Sequence, residues 1–277
     1  MKTRVITGIV GLLVFVPLLV FSNTYAGCLM AQLLCLISVY ELSGAVGLRK
    51  KWQMTIPLYL LSIGMPLLIF FEKTRGDFMK YAALAFSLAA FYLLGCAVFS
   101  KGKIKIEDTG VLFTMQFYVF MGFNAMYMLR HMENGGCLIA LLFISPWATD
   151  IFAYFTGRLF GKHKLIPDVS PKKTVEGAVG GFVMAIVLTV VYGLVVGAFT
   201  KVSPQYLQLV LAGAVMSVAS MVGDLIASLV KRHYGIKDYS RMLPGHGGIL
   251  DRFDSILAAS FILLVLYELP FGFSLFV

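Results

Sequence analysis

Residues 206–230 read YLQLVLAGAVMSVASMVGDLIASLV, an apolar run whose single charged side chain is Asp224. A hydrocarbon layer of about 30 Å asks a helix for about 17–25 such residues, and this run supplies them. Working outward, eight more stretches have spanning length: 5–22, 26–47, 55–71, 79–99, 111–129, 136–156, 176–200 and 252–272. The first two are parted only by Asn23-Thr24-Tyr25, which reads as a tight hairpin. Composition agrees. Of 277 residues 59% are hydrophobic and 13% charged, where a soluble domain carries about 25% charged residues, and the mean hydropathy is +0.87. The expectation is an all-α integral membrane protein with about nine transmembrane helices.

Loop charge sets its orientation. With the N-terminus inside, seventeen of the 23 basic residues fall on the inner side. They are Lys2 and Arg4; Arg49, Lys50 and Lys51; Lys101, Lys103 and Lys105; Arg158, Lys162, Lys164, Lys172 and Lys173; Lys231, Arg232, Lys237 and Arg241. The outer side keeps Lys73, Arg75, Lys80, Arg130 and Lys201, and Arg252 lies at the mouth of the last span. The positive-inside rule therefore gives a cytoplasmic N-terminus, an outside C-terminus and every long polar loop in the cytoplasm. Lys2 and Arg4 before an apolar run resemble a signal peptide, but no small-residue cleavage site follows, so the segment reads as an anchor. The net charge of +9 follows from topology, with help from anionic headgroups; with no soluble domain to hold it, nucleic acid is excluded. Cys28, Cys35, Cys96 and Cys137 lie in or beside apolar segments without a C-x-x-C pair and read as reduced packing residues.

The two halves differ in character. Residues 1–149, up to the start of the sixth span, hold one intramembrane acid, Glu41, and short loops. This half reads as a transmembrane scaffold that shapes a lipid-facing cavity or a subunit contact. Residues 150–277 carry Asp150, Glu176, Asp224, Asp251, Asp254 and Glu268 in or at the edges of spans. An acid at a helix centre costs about 2.5–3.5 kcal/mol on insertion scales, less near an end, so a scaffold has no reason to keep so many. Asp224, Ser228, Lys231 and Arg232 follow i, i+4, i+7 and i+8 spacing, and Asp251, Asp254 and Ser255 follow i, i+3 and i+4. The loop between them, 233–250, holds Gly235, Gly245, Gly247 and Gly248. Two acidic faces at one depth can surround a cation, and carboxylates with phosphate and water suit Mg²⁺; no Cys/His set points to zinc. The other long loop, 157–175, offers lysines, Arg158 and two hydroxyls to an anion such as a polyphosphate. On residues alone, the parts fit phosphoryl or nucleotidyl transfer to a membrane substrate.

A longer pattern goes further. Ser228-Leu-Val-Lys231-Arg232, then Lys237-Asp238-Tyr-Ser240, then Leu243-Pro244-Gly245-His246-Gly247-Gly248-Ile249-Leu-Asp251-Arg252-Phe-Asp254 closely resembles the signature of phosphatidate cytidylyltransferases, also called CDP-diacylglycerol synthases. Asp150-Ile-Phe-Ala153-Tyr154-Phe-Thr-Gly157-Arg158 followed by Ser170-Pro171-Lys172-Lys173-Thr174-Val175-Glu176-Gly177 is similar to the family's other motif region, with Val175 where a tryptophan is common. The resemblance is specific over about 150–255 and only topological before that. It implies an all-helical, homodimeric enzyme of the cell (inner) membrane that works at its cytoplasmic face. It would use Mg²⁺, CTP and phosphatidic acid and release CDP-diacylglycerol and pyrophosphate; a second, monovalent cation is left open.

Within that resemblance, roles are expected as follows. Asp224 and Asp251 ligate the metal, with Asp254 a third ligand or just behind it. Lys231, Arg232, Lys237 and Arg252 neutralise phosphates. Lys172, Lys173 and Arg158 meet the triphosphate or the lipid phosphate, and Ser228 and Ser240 assist. His246 donates to a phosphate oxygen or to cytosine, or else steadies its turn. Asp238 and Asp150 orient basic side chains. Three alternatives are an ether-lipid cytidylyltransferase of the same superfamily, an ion-coupled transporter and a purely structural protein. The acids gather at one face beside basic loops rather than at the midplane, which disfavours transport. The spacing of Gly177, Gly181, Gly193 and Gly197 signifies close helix packing.

Overall fold

The computed structural model describes residues 24–71, 75–270 and 272–277. The expected first span at 5–22, with Lys2 and Arg4, and the loop residue Lys73 lie outside the described residues. The other expected spans are all helices: α1 (Tyr25–Ala45), α2 (Trp52–Phe71), α3 (Arg75–Phe99), α4 (Ile106–Arg130), α5 (Gly135–Phe160), α6 (Val175–Phe199), α7 (Tyr206–His233) and α8 (Leu250–Glu268). Among the described residues, six stretches are long and apolar enough to cross a membrane: Tyr25–Ala45, Lys80–Phe99, Ile106–Arg130, Gly135–Phe160, Val175–Phe199 and Tyr206–His233. The chain is a helical, multi-pass membrane protein. Helices α5 and α7 outrun their apolar stretches at the C-terminal end. Arg158 in one, and Lys231, Arg232 and His233 in the other, occupy the last turn, where cations offset the negative end of the helix dipole.

The chain divides into two compact units. One takes the described residues up to Tyr127 together with Tyr234–Arg252, and the other takes Met128–His233 with Phe253–Val277. The boundary drawn at 149/150 on chemical grounds falls inside α5.

In the first unit, Thr24 caps α1 by accepting from Ala26 N at 3.3 Å, and Gly47 at φ 73° ends it, the left-handed stop that glycine adopts without strain. Polar side chains then tie the bundle together. Gln32 donates to Ile63 O of α2 at 2.9 Å, and Gln116 of α4 donates to Ser38 Oγ of α1 at 3.1 Å. Phe86 of α3 meets Phe117 and Phe120 of α4 edge to face, each at 4.8 Å between centroids, geometry that adds to simple area burial.

In the second unit α5, α6 and α7 pack closely, through the small residues their spacing advertises. A Cβ on Gly177 would stand 2.6 Å from Ala153 O, and one on Gly181 would stand 2.5 Å from Thr149 O. Thr149 donates to Ser217 Oγ of α7 at 2.9 Å. The expected polar loop 157–175 is not irregular throughout. It begins only after Phe160 and contains a two-stranded antiparallel hairpin, β1 (Lys164–Ile166) and β2 (Ser170–Thr174), so the fold departs from all-α at this point. Glu176 holds the hairpin's base: His163 N lies 3.2 Å from both carboxylate oxygens, and His163 Nδ1 lies 2.6 Å from Oε1. Thr174 ends the strand and caps α6, its Oγ1 accepting from Gly177 N at 3.1 Å.

Replacing Gly181 by valine should drive α6 off α5 and lower stability by about 1–3 kcal/mol, the usual cost of overpacking. Gly95 of α3 has nothing within 4 Å of a built Cβ, so Gly95→Ala should be neutral or stabilising. Thermal midpoints of the two variants in one detergent check the contrast.

Candidate functional site

Three of the expected acids meet in the second unit. Asp150 comes from α5, Asp224 from α7 and Asp254 from α8. Ser255 Oγ lies 3.2 Å from Asp150 Oδ2 and 3.2 Å from Asp254 Oδ1, joining two carboxylates through one hydroxyl. Asp224 and Lys173 also act on the charge of Asp150, while Asp224, Lys231 and Asp150 act on Asp254. Lys173 Nζ lies 2.5 Å from Asp224 Oδ2, an ion pair about a quarter exposed. Ser228, one turn along α7, donates to Asp224 Oδ1 at 3.4 Å. Asp150 and Asp224 open onto a cavity of about 380 Å³ whose lining also includes Arg158, Lys172, Lys173 and Tyr154. Arg158 donates to Tyr154 Oη at 3.2 Å across its mouth. An acidic floor with cations on the rim suits a ligand that is itself anionic and arrives with a cation.

The helix that carries Asp224 and Ser228 runs on unbroken through Lys231 and Arg232. Lys231 is 8% exposed, whereas Arg232 turns outward and its Nε donates to Val169 O of the hairpin turn at 3.5 Å. Adjacent residues stand about 100° apart around a helix, so one can be buried while the next reaches outward.

Carboxylate oxygens are the donors a hard cation such as Mg²⁺ takes, and the like charges on Asp150, Asp224 and Asp254 oppose one another until positive charge offsets them. Among the described residues no three His, Cys, Asp or Glu side chains gather to hold a metal. A cation here would rest on fewer carboxylates, with phosphate oxygens and water completing its shell, which is how Mg²⁺ is commonly bound.

The rest of the expected set belongs to the first unit. Asp251 is 8% exposed, and its Oδ2 accepts from Tyr239 N at 2.8 Å and Gly248 N at 2.9 Å. Expected as a metal ligand, it also ties down the 233–250 loop through that oxygen. Inside the loop a tight turn closes with Leu243 N donating to Gly247 O at 2.9 Å, and Gly245 and Gly247 take φ 80° and 84°. His246 projects from this turn with a buried Nδ1 that has no hydrogen-bond partner among the described residues. Lys237, Asp238, Ser240 and Arg241 line a second cavity of about 660 Å³ with Arg49, whose guanidinium sits 3.7 Å above the Tyr40 ring. At the loop's start Tyr234 Oη donates to Asp108 Oδ1 at 2.9 Å; burial first, and then that carboxylate, push the phenol's pKa up. Arg252 is exposed in the first turn of α8.

One residue carries more than its place in the sequence promises. Glu41 of α1, read as part of a scaffold, is 0% exposed. Its carboxylate accepts from Ser240 Oγ at 2.7 Å and from Ile249 N and Leu250 N at 2.9 Å each. Its lone acidity in an apolar half was the available signal; its partner lies about 200 residues away, beyond any helical periodicity.

A model described as the cytidylyltransferase family matches residues 2–269. A phosphatidate cytidylyltransferase from Staphylococcus haemolyticus is 36% identical over 258 residues, covering 93% of this chain and 95% of its own. One from Bacillus subtilis is 34% identical over 285 residues, covering 99% of each. One from Staphylococcus aureus is 33% identical over 260 residues, covering 93% and 95%.

The Lys173–Asp224 pair is open to a double-mutant cycle. Lys173→Met and Asp224→Asn should each destabilise, and the double variant should lose less than their sum by about 0.5–3 kcal/mol. Denaturation midpoints of the four proteins in mixed micelles measure the coupling, and additivity would mean that the two charges do not depend on one another.

Proposed function

The chain belongs to the cytidylyltransferase family, and from that premise we propose that it transfers CMP from CTP to phosphatidic acid, giving CDP-diacylglycerol and pyrophosphate in phospholipid biosynthesis. The observation that carries the proposal is the cavity over Asp150 and Asp224, rimmed by Arg158, Lys172 and Lys173, in a membrane protein whose relatives of near-equal length bear that name.

The chemistry needs little from a base. A phosphate monoester has its second pKa near about 6, so at neutral pH the lipid phosphate already presents an anionic oxygen. That oxygen attacks the α-phosphorus of CTP in line; the new O–P bond forms as the bond to the β-phosphate's bridging oxygen breaks, and pyrophosphate leaves with the electron pair. The protein's task is to bring two anions together and stabilise the charge that builds on the leaving group. Lys172, Lys173 and Arg158 meet incoming phosphates. Lys231 and Arg232, with Lys237 of the loop and Arg252 of α8, add positive charge, and Ser228 and Ser240 add hydroxyls. His246 keeps its unpartnered Nδ1 for a phosphate oxygen or for the base. Asp238 orients neighbouring cations. Mg²⁺ would be held by Asp224 and Asp251, with Asp254 a third ligand or just behind them and Asp150 orienting basic side chains, and would supply charge neutralisation at the triphosphate.

The wider reading has nine spans, a cytoplasmic N-terminus and an outside C-terminus in the cell membrane. The active site is at the cytoplasmic face, 150–277 is the catalytic region, and the enzyme is a homodimer. The loop charges support the orientation.

Pyrophosphate release by the purified protein in detergent tests the reaction. It should require phosphatidic acid, Mg²⁺ and CTP together, with ATP, GTP and UTP inactive; release without lipid, or with any nucleotide, would overturn the assignment. Comparing diacyl with ether phosphatidates tests the lipid class. Asp224→Asn should cut turnover by at least 100-fold in folded protein, and near-normal turnover would remove this carboxylate from the mechanism.

A further inference from the structure

We propose that Glu41 is a positioning residue for this transfer: its carboxylate, reaching from α1, fixes the loop that carries Lys237 and His246 and the helix start that carries Arg252. The proposal rests on the reaction assigned above. Its geometry is that of a clamp. Glu41 Oε1 takes Ser240 Oγ and Ile249 N, and Oε2 takes Leu250 N. One buried carboxylate thus joins the two ends of the segment 241–248 and caps the first turn of α8. Negative charge is favoured there, because the N–H groups opening a helix have no partners within it.

Asp251 interleaves with this grip. It takes Tyr239 N and Gly248 N, while Glu41 takes the neighbouring donors at 240, 249 and 250. A Cβ at 248 would stand 2.4 Å from Glu41 Oε1 and push the carboxylate aside, so Gly248 leaves the space that the clamp occupies. Three donors converge on Glu41, so an acceptor-only group is required. Glutamine keeps the shape but turns an NH₂ towards one of the donors, and aspartate keeps both acceptors on a stem one methylene shorter. A loop held slightly out of line can still bind substrate, but it loses contacts made in the transition state, so the damage falls on kcat more than on KM.

The test uses the full chain in detergent. Glu41→Gln, Glu41→Asp and a control, Gln116→Leu, are compared by thermal midpoint, by steady-state kinetics and by hydrogen exchange over 243–253. Gln116 is buried in the same unit and pairs with Ser38. Glu41→Gln should lower kcat at least tenfold with KM for CTP and lipid within threefold, and should speed exchange over 243–253 at least tenfold. Glu41→Asp should recover part of both. Gln116→Leu should lower the midpoint while leaving exchange over 243–253 within twofold. Unchanged exchange in Glu41→Gln, or a kcat loss no larger than that of Gln116→Leu at a matched midpoint, overturns the proposal. If the parent protein releases no CTP-dependent pyrophosphate, the reaction assignment fails, and exchange still reports whether Glu41 holds the loop.

Discussion

A carboxylate inside an apolar helical bundle must be given hydrogen-bond donors or positive charge, and the architecture follows from how each buried acid is satisfied. Burying it bare would cost several kcal/mol. Glu41 and Asp251 are met by backbone N–H groups and a hydroxyl. Asp224 is met by an ammonium and a hydroxyl, while Asp150 and Asp254 share Ser255. The two solutions do different work. Neutral donors lock a loop in place, and what remains of the acid's charge is spread over the amides that hold it. A mobile ammonium can exchange its carboxylate for a substrate phosphate, so the second group stays available for chemistry.

Much of this was legible in the sequence. Hydropathy located the helices α1 to α8 to within a few residues, because a spanning helix is set by length and apolarity alone. The acids of 150–277 were legible because each breaks an apolar run, and the signature around 228–254 tied them to a family. Periodicity places Lys231 and Arg232 but not their exposure: they are neighbours in sequence, and one is buried while the other turns out to the hairpin.

What the sequence hid was contact across long separations. Nothing near Glu41 announces that its donors lie at Ser240, Ile249 and Leu250. Asp251 looked like a ligand by type and spacing, yet one of its oxygens is committed to Tyr239 N and Gly248 N. The hairpin at 164–174 was missed because its strands are short and polar, Ser170-Pro-Lys-Lys-Thr174 in one of them, with none of the alternation that marks a half-buried strand.

Thr174 has a consequence of its own. A Cβ on Gly157 or Gly161 would come within 2.8 Å of its hydroxyl oxygen, so the end of α5, the end of β2 and the start of α6 all close around one side chain. The turn at 167–169 is exempt from that closure, and a residue added there would move only the turn and the Arg232 contact at Val169 O. An extra residue between Lys172 and Gly177 would instead shift the strand pairing and rotate every later α6 side chain by about 100° relative to the cap. The two lysines therefore keep a fixed chain distance from the helix they introduce.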